Sequence, residues 1–248
     1  MRIAYLAQAA LVFCVAPALS ARGMFKVGSA QRAFVPAEPY SWRGAKTHAL
    51  LTTVWYPADG AAVEKAQWGG PPEAPLFALG SAAPGAQFAP GKFPLILLSH
   101  GTGGSAPMLA WLGTALAAHG YVAAAVNHPG NNALESYTPE GFSLWWERTK
   151  DLSEVIDHLL ADPDFGSRID PQRIGAAGFS LGGYTMIEMA GGITDRDAFQ
   201  QFCKAHAADS TCKSPPEFPN LVNYVNQMDE TAKRDPEIAA SLRTSPGR

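Results

Sequence analysis

Apolar residues along this chain fall into short unbroken runs, separated by stretches in which they recur every three or four positions. Phe93-Pro94-Leu95-Ile96-Leu97-Leu98 and Tyr121-Val122-Ala123-Ala124-Ala125-Val126 leave no polar position to turn toward water, which predicts strands buried on both faces. Between them, Leu109, Trp111, Leu112 and Leu116 keep helical spacing from Met108 to Ala118, and Gly120 ends the helix. A second helix over Glu147 to Leu160 sets Leu152, Val155, Ile156 and Leu159 against Lys150, Glu154 and Asp157. Asp162-Pro163-Asp164 breaks it, and Asp170-Pro171 introduces a strand that runs to Gly178, followed by a helical pattern over Tyr184 to Ala190. This alternation predicts an α/β fold, a mostly parallel sheet with helices on both faces.

Upstream, Phe25 to Val35 is weakly strand-like, and Leu50 to Tyr56 reads as a β-branched and aromatic strand closed by Pro57. The Ala-, Gly- and Pro-rich stretch from Gly60 to Gly91 reads as a surface loop. From about residue 193 onward the pattern is helical and charged: Ala198 to Phe202, Leu221 to Met228 and Pro236 to Leu242.

Residues 1–20 have the form of a secretory signal: Arg2, an apolar stretch from Ile3 to Val15, and Ala18-Leu19-Ser20 as the cleavage site. The apolar stretch is shorter than the roughly 20 residues of a bilayer span and is broken by Gln8 and Pro17, so no stable membrane anchor is expected. Phe13 before Cys14 argues against a lipoprotein site. The expectation is an exported protein, periplasmic or secreted, with a single domain over 21–248.

At 248 residues and 47% hydrophobic content the chain can bury one sizeable core. A net charge of −3 with 17% charged residues gives no basic face, which excludes a nucleic-acid partner and leaves the oligomeric state open. Cys203 and Cys212 are open to two readings, a disulfide that staples a surface loop in an oxidising compartment or a pair of free thiols. A metal site is poorly served, because His206 is the one further ligand nearby.

The candidate chemistry centres on Gly178-Phe179-Ser180-Leu181-Gly182-Gly183, a Gly-x-Ser-x-Gly turn lying between a strand and a helix. So sharp a turn strains its central residue and lifts it clear of the sheet, which makes Ser180 the candidate nucleophile. His100-Gly101-Thr102-Gly103-Gly104-Ser105, at the end of another strand, can present bare N–H groups; those of Thr102 and Leu181 are the candidate oxyanion-hole donors. Asn127-His128-Pro129-Gly130-Asn131-Asn132 follows a third strand, at the end where open α/β sheets bind ligands. Two readings stay open for His128: a wall of the site, or a histidine hydrogen-bonded to its own loop. Trp145 and Trp146 either wall an acyl or aromatic pocket, with His100 and His128 as further candidates, or pack the following helix onto the sheet.

On Ser99-His100-Gly101-Thr102-Gly103-Gly104, Val126-Asn127-His128-Pro129-Gly130-Asn131 and Gly178–Gly183, the chain resembles exported α/β-hydrolases described as predicted dienelactone hydrolases and platelet-activating-factor acetylhydrolase-like carboxylic ester hydrolases. The resemblance runs over about Val27 to Gly192. It implies an α/β-hydrolase fold, hydrolysis of a small-molecule ester through an acyl-enzyme on Ser180, an oxyanion hole from Thr102 and Leu181, and no metal or organic cofactor.

The pattern departs from the family after Ser180. A triad in this fold continues in the order acid, then histidine, and His206 is the one histidine that remains, between the two cysteines in what resembles the family's cap insertion. Asp170, Asp195, Asp229 and Asp235 have no histidine in a matching place, and no late apolar run supplies the last strands. With Thr244-Ser245-Pro246-Gly247-Arg248 closing the chain on loop composition, the expectation is a truncated α/β-hydrolase, with an exposed edge at the elbow strand or its neighbour and impaired activity. The alternative is a non-catalytic chain that binds acyl or aromatic ligands.

Overall fold

A computed structural model describes residues 24–71, 73–216 and 218–244. The proposed signal segment and the last four residues lie outside the described residues. Strands β1 (Lys26–Phe34), β2 (Leu50–Ala58), β3 (Lys65–Gly69), β4 (Phe77–Pro84), β5 (Phe93–Ser99), β6 (Val122–Val126) and β7 (Ile169–Gly178) form one sheet in the order β3-β4-β1-β2-β6-β5-β7. Its working half, β6-β5-β7, is parallel, and β2 joins it antiparallel through β6.

The structure differs from the sequence expectation in two places. The stretch expected to be a loop from Gly60 to Gly91 contains β3 and β4, an edge hairpin with a register shift between Ala66 and Trp68. Its alanines and glycines hid the strands because edge positions need little apolar burial. Pro57 does not close β2; it sits within the strand, paired with Val27, and its carbonyl accepts from the Ala89 N–H.

The sheet is central because its middle strands have nothing polar to expose. All five residues of β6 are buried, and alternate positions along β5 and β6 face opposite layers. On one face α1 (Ala110–Ala118) packs on Trp55, Leu98, Ala123 and Ala125. Gly113 lets it approach, since a Cβ there would stand 2.2 Å from the Trp55 ring. On the other face α3 (Glu147–Ala161) lays Leu152, Val155 and Leu159 over Leu95, Leu97, Val122 and Val126, each such burial worth roughly 2 kcal/mol. The helix α4 (Leu181–Met189) adds Met186 and Met189 to that layer. The short α2 (Pro139–Ser143) precedes α3 and is capped by the Thr138 side chain, which accepts from the Gly141 N–H.

After α4 the described residues contain helices and no strand: α5 (Arg196–Ala205), α6 (Leu221–Asn226), α7 (Met228–Ala232) and α8 (Pro236–Thr244). They dock through a cluster of their own, in which Met228, Ile238 and Leu242 pack on Leu144 and Trp146. Among the described residues β7 is therefore the sheet edge and pairs with β5 alone, and Ile174 on it is 38% exposed.

Candidate active site

Ser180 sits at the junction of β7 and α4 with φ 53° and ψ −118°, one of two non-glycine residues at positive φ among those described. For a residue with a Cβ this backbone is strained, and it persists only where the surroundings hold it. They do so by close contact. A Cβ on Gly178 would stand 2.1 Å from the Gly182 carbonyl oxygen, and one on Gly182 would stand 2.0 Å from that of Ser99. Phe179 N–H donates to the Ser99 carbonyl at 3.1 Å, tying the turn to the end of β5. Ser180 is exposed, and its hydroxyl makes no hydrogen bond among the described residues.

The glycine loop after β5 lies against this turn. Gly101 is buried, with the Ser180 Cβ and Phe179 at 3.2 Å from where its own Cβ would be. Gly103 N–H donates to Asn131 Oδ1 at 2.7 Å, and Ala106 N–H donates to Asn127 Oδ1 at 2.8 Å, so the loop after β6 holds the loop after β5. Neither Thr102 N–H nor Leu181 N–H has a hydrogen-bond partner among the described residues. Thr102 is exposed beside Gly101, and Leu181 is the first residue of α4, whose N–H has no carbonyl one turn earlier in its helix.

Beneath these loops is a buried polar network. Ser99 Oγ is 2.8 Å from His128 Nε2, and His128 Nδ1 is 2.6 Å from Asp151 Oδ2. Arg43 Nη2 donates to both Asp151 oxygens, at 2.7 and 3.0 Å, and the Tyr40 hydroxyl donates to Oδ1. Ser99, His128 and Asp151 are fully buried, and Arg43 is 1% exposed. Burial opposes ionisation of Asp151, but Arg43, His128 and Tyr40 outweigh it and hold the carboxyl well below its usual range. Burial, then Arg148, pushes His128 down to about 4, so its ring is neutral at pH 7. Burial, with His128 and Arg148, also holds His100 far below its ordinary value. Its Nδ1 lies 2.7 Å from the Gly101 carbonyl, its Nε2 accepts from His128 N–H at 3.2 Å, and Arg148 Nη1 donates to its own carbonyl at 2.7 Å.

The structure thus sets the Ser180–Leu181 turn against Gly101, the neighbour of Thr102, while His100 and His128 lie in the buried network with both rings engaged in hydrogen bonds. The His128 ring is bonded across the fold to Ser99 and Asp151, and only the His128 carbonyl accepts from its own loop, from Asn131 N–H and the Asn132 amide. Trp145 is half-buried and edge-on to Tyr184 and Phe199 at 6.4 and 6.3 Å, whereas Trp146 is buried and donates to Ser241 Oγ at 3.0 Å. Cys203 and Cys212 are joined in a disulfide. His206 follows α5, its ring 4.6 Å from that of Phe202. None of the six histidines is hydrogen-bonded to Ser180. Arg43, Arg148 and Asp151 escaped the sequence reading, although Arg148 and Asp151 lie on the apolar stripe of α3 with Val155 and Leu159, where a charge needs a partner. No group of three or more potential ligand side chains that could hold a metal occurs among the described residues.

A strained serine between a parallel strand and the helix behind it, with a glycine loop alongside, is how the α/β-hydrolase fold is recognised, and the chain has that fold. Residues 80–143 match the family Platelet-activating factor acetylhydrolase, isoform II. That span takes in the glycine loop and His128 and stops before Ser180. The chain is 34% identical over 80 residues to Lipase 1 of Moraxella sp. (strain TA144), covering 32% of this chain and 22% of the lipase. It is 31% identical over 97 residues to Cutinase est1 of Thermobifida alba, covering 38% of this chain and 29% of the cutinase. Among solved structures it is similar to a ferulic acid esterase from Streptomyces cinnamoneus, at 30% identity and a TM-score of 0.56, over 71% of this chain and 57% of that one. The matches therefore span less than two thirds of each of these relatives.

Proposed function

We propose that this protein attacks small-molecule carboxylic esters through Ser180 and forms an acyl-enzyme. The observation that carries the reading is the strained, exposed Ser180 at the head of α4, set against Gly101 of the glycine loop, with the N–H groups of Thr102 and Leu181 left without a partner among the described residues. The Ser180 oxygen adds to the ester carbonyl, the negative charge on the carbonyl oxygen is met by those two donors, and the alcohol departs to leave the acyl group on Ser180. With no histidine bonded to Ser180, the hydroxyl proton passes to water. Loss of a general base lowers rates by roughly 10²–10⁴-fold, so activated esters react and deacylation is slow.

The test is a burst assay with p-nitrophenyl acetate on the protein and on Ser180→Ala. One p-nitrophenolate per chain, followed by little turnover and absent from the variant, is the expected result. Equal release from both proteins would overturn the role of Ser180. Sustained Ser180-dependent turnover would overturn the slow deacylation and direct attention to His206.

A pocket of about 370 Å³ beside Trp145, walled by Phe199, Leu221, Val222 and Val225, supports a second reading in which acyl or aromatic ligands are retained without turnover. Quenching of tryptophan fluorescence by a medium-chain fatty acid, absent in Trp145→Ala, tests it. The Cys203–Cys212 disulfide supports export to an oxidising compartment. No described helix is long and apolar enough to cross a membrane.

A further inference from the structure

We propose that Ser99, His128 and Asp151 form a buried triad of positioning residues that holds the Ser180 turn and the Thr102 loop in their reactive geometry. The inference rests on the reading of Ser180 as nucleophile.

The proton arrangement follows from the partners. Ionised Asp151 can only accept, so His128 Nδ1 carries the single ring proton and donates it at 2.6 Å. His128 Nε2 is then an acceptor, and the Ser99 hydroxyl donates to it at 2.8 Å. These are the hydrogen bonds by which a hydrolase primes its serine, but Ser99 is fully buried and cannot meet a substrate.

What Ser99 reaches is the backbone of the site. It stands at the end of β5 in register with Gly178, and its carbonyl accepts from Phe179 N–H, one residue before Ser180. The same carbonyl is the surface on which Gly182 rests. The next residue, His100, is fixed by His128 N–H and by Arg148, and the one after, Gly101, abuts Ser180. The Ser99 side chain, anchored through His128 to an Asp151 that is itself locked by Arg43 and Tyr40, therefore fixes the strand end against which a strained φ of 53° is held. Strain of that kind needs an abutment that does not yield, and a hydrogen bond from the Ser99 side chain supplies one where the strand ladder ends.

The test compares the wild-type chain with Ser99→Ala, a change that removes one buried oxygen. Pre-steady-state acylation by p-nitrophenyl acetate separates ester binding from the acylation rate constant, and amide exchange of Phe179 reports the hydrogen bond to Ser99 without reference to activity. The expected result is an acylation constant down about tenfold or more with ester binding changed less than about twofold, and Phe179 exchange about tenfold faster while that of Val54 in β2 is unchanged. An acylation constant within about twofold of wild type, whatever the change in melting temperature, would make the triad structural only and overturn the proposal. If the wild type shows no Ser180-dependent burst, the proposed function falls and exchange alone decides: faster Phe179 exchange upholds the abutment, and unchanged exchange overturns it.

Discussion

Gly182 packs against Ser99 so closely that a Cβ at position 182 would stand 2.0 Å from the Ser99 carbonyl oxygen. At Gly183 the nearest atom to such a Cβ is 3.4 Å away, an ordinary contact. Two adjacent glycines in one motif thus carry opposite expectations. Gly182→Ala must push the turn off β5, at about 1–3 kcal/mol and with loss of Ser180 acylation, whereas Gly183→Ala retains the burst amplitude. Burst titration of the two variants is the check; a full burst from Gly182→Ala would show that the elbow does not depend on this contact.

Strands β5 and β6 were legible because they lie buried in the middle of the sheet and are written as unbroken apolar runs, Leu95 to Leu98 and Val122 to Val126. The elbow was legible because a turn that tight tolerates only small neighbours, here Gly178 and Gly182. The hairpin of β3 and β4 was not, since Ala66, Ala78, Ala82 and Ala83 carry no periodic signal. Least legible was the support of the site. Arg43 and Asp151 are 108 positions apart and meet only because the loop before β2 crosses the first turns of α3. A charge on a helix's apolar stripe announces that a partner exists without saying where.

Asp151→Asn leaves the Arg43 guanidinium, 1% exposed, without its counter-charge. Removing one member of a buried pair costs about 3–5 kcal/mol, because the remaining charge stays desolvated. Glu230→Gln, whose partner Lys233 and itself are each about two-thirds exposed, is expected to leave the unfolding midpoint unchanged. Urea unfolding of both variants distinguishes the two environments. A midpoint for Asp151→Asn equal to that of the wild type would mean that Arg43 finds another acceptor.

The Cys203–Cys212 disulfide closes a loop of sequence separation 9 between α5 and the 3-10 turn at Ser210–Cys212. Chain-entropy arguments give such a closure roughly 2–3 kcal/mol. It borders the pocket by Trp145 and lies apart from the sheet core, so reduction should loosen α5 without disturbing Ser180. Limited proteolysis with and without a reductant is expected to show new cleavage between residues 196 and 213, with the acylation burst amplitude unchanged. Loss of the burst on reduction would show instead that this segment supports the turn.

Acid should unfold this protein earlier than its carboxylates require. His128 is held at about 4 by burial among Ser99, His100, Asp151, Arg43 and Arg148, against an ordinary value of 6.5. Between those two values the unfolded chain takes up a proton that the folded chain refuses, so stability is full above pH 6.5 and falls as pH drops toward 4. The loss reaches roughly 3 kcal/mol. His100, lowered by the same burial, acts in the same direction. Asp151 acts lower down: its depressed value contributes stability above the ordinary 3.8 that is lost only as pH falls below it. Urea midpoints at pH 7, 6, 5 and 4.5 should therefore decline steadily in the wild type and more shallowly in His128→Asn, whose amide can still donate to Asp151 but does not titrate. Parallel declines in the two proteins would place the acid sensitivity elsewhere.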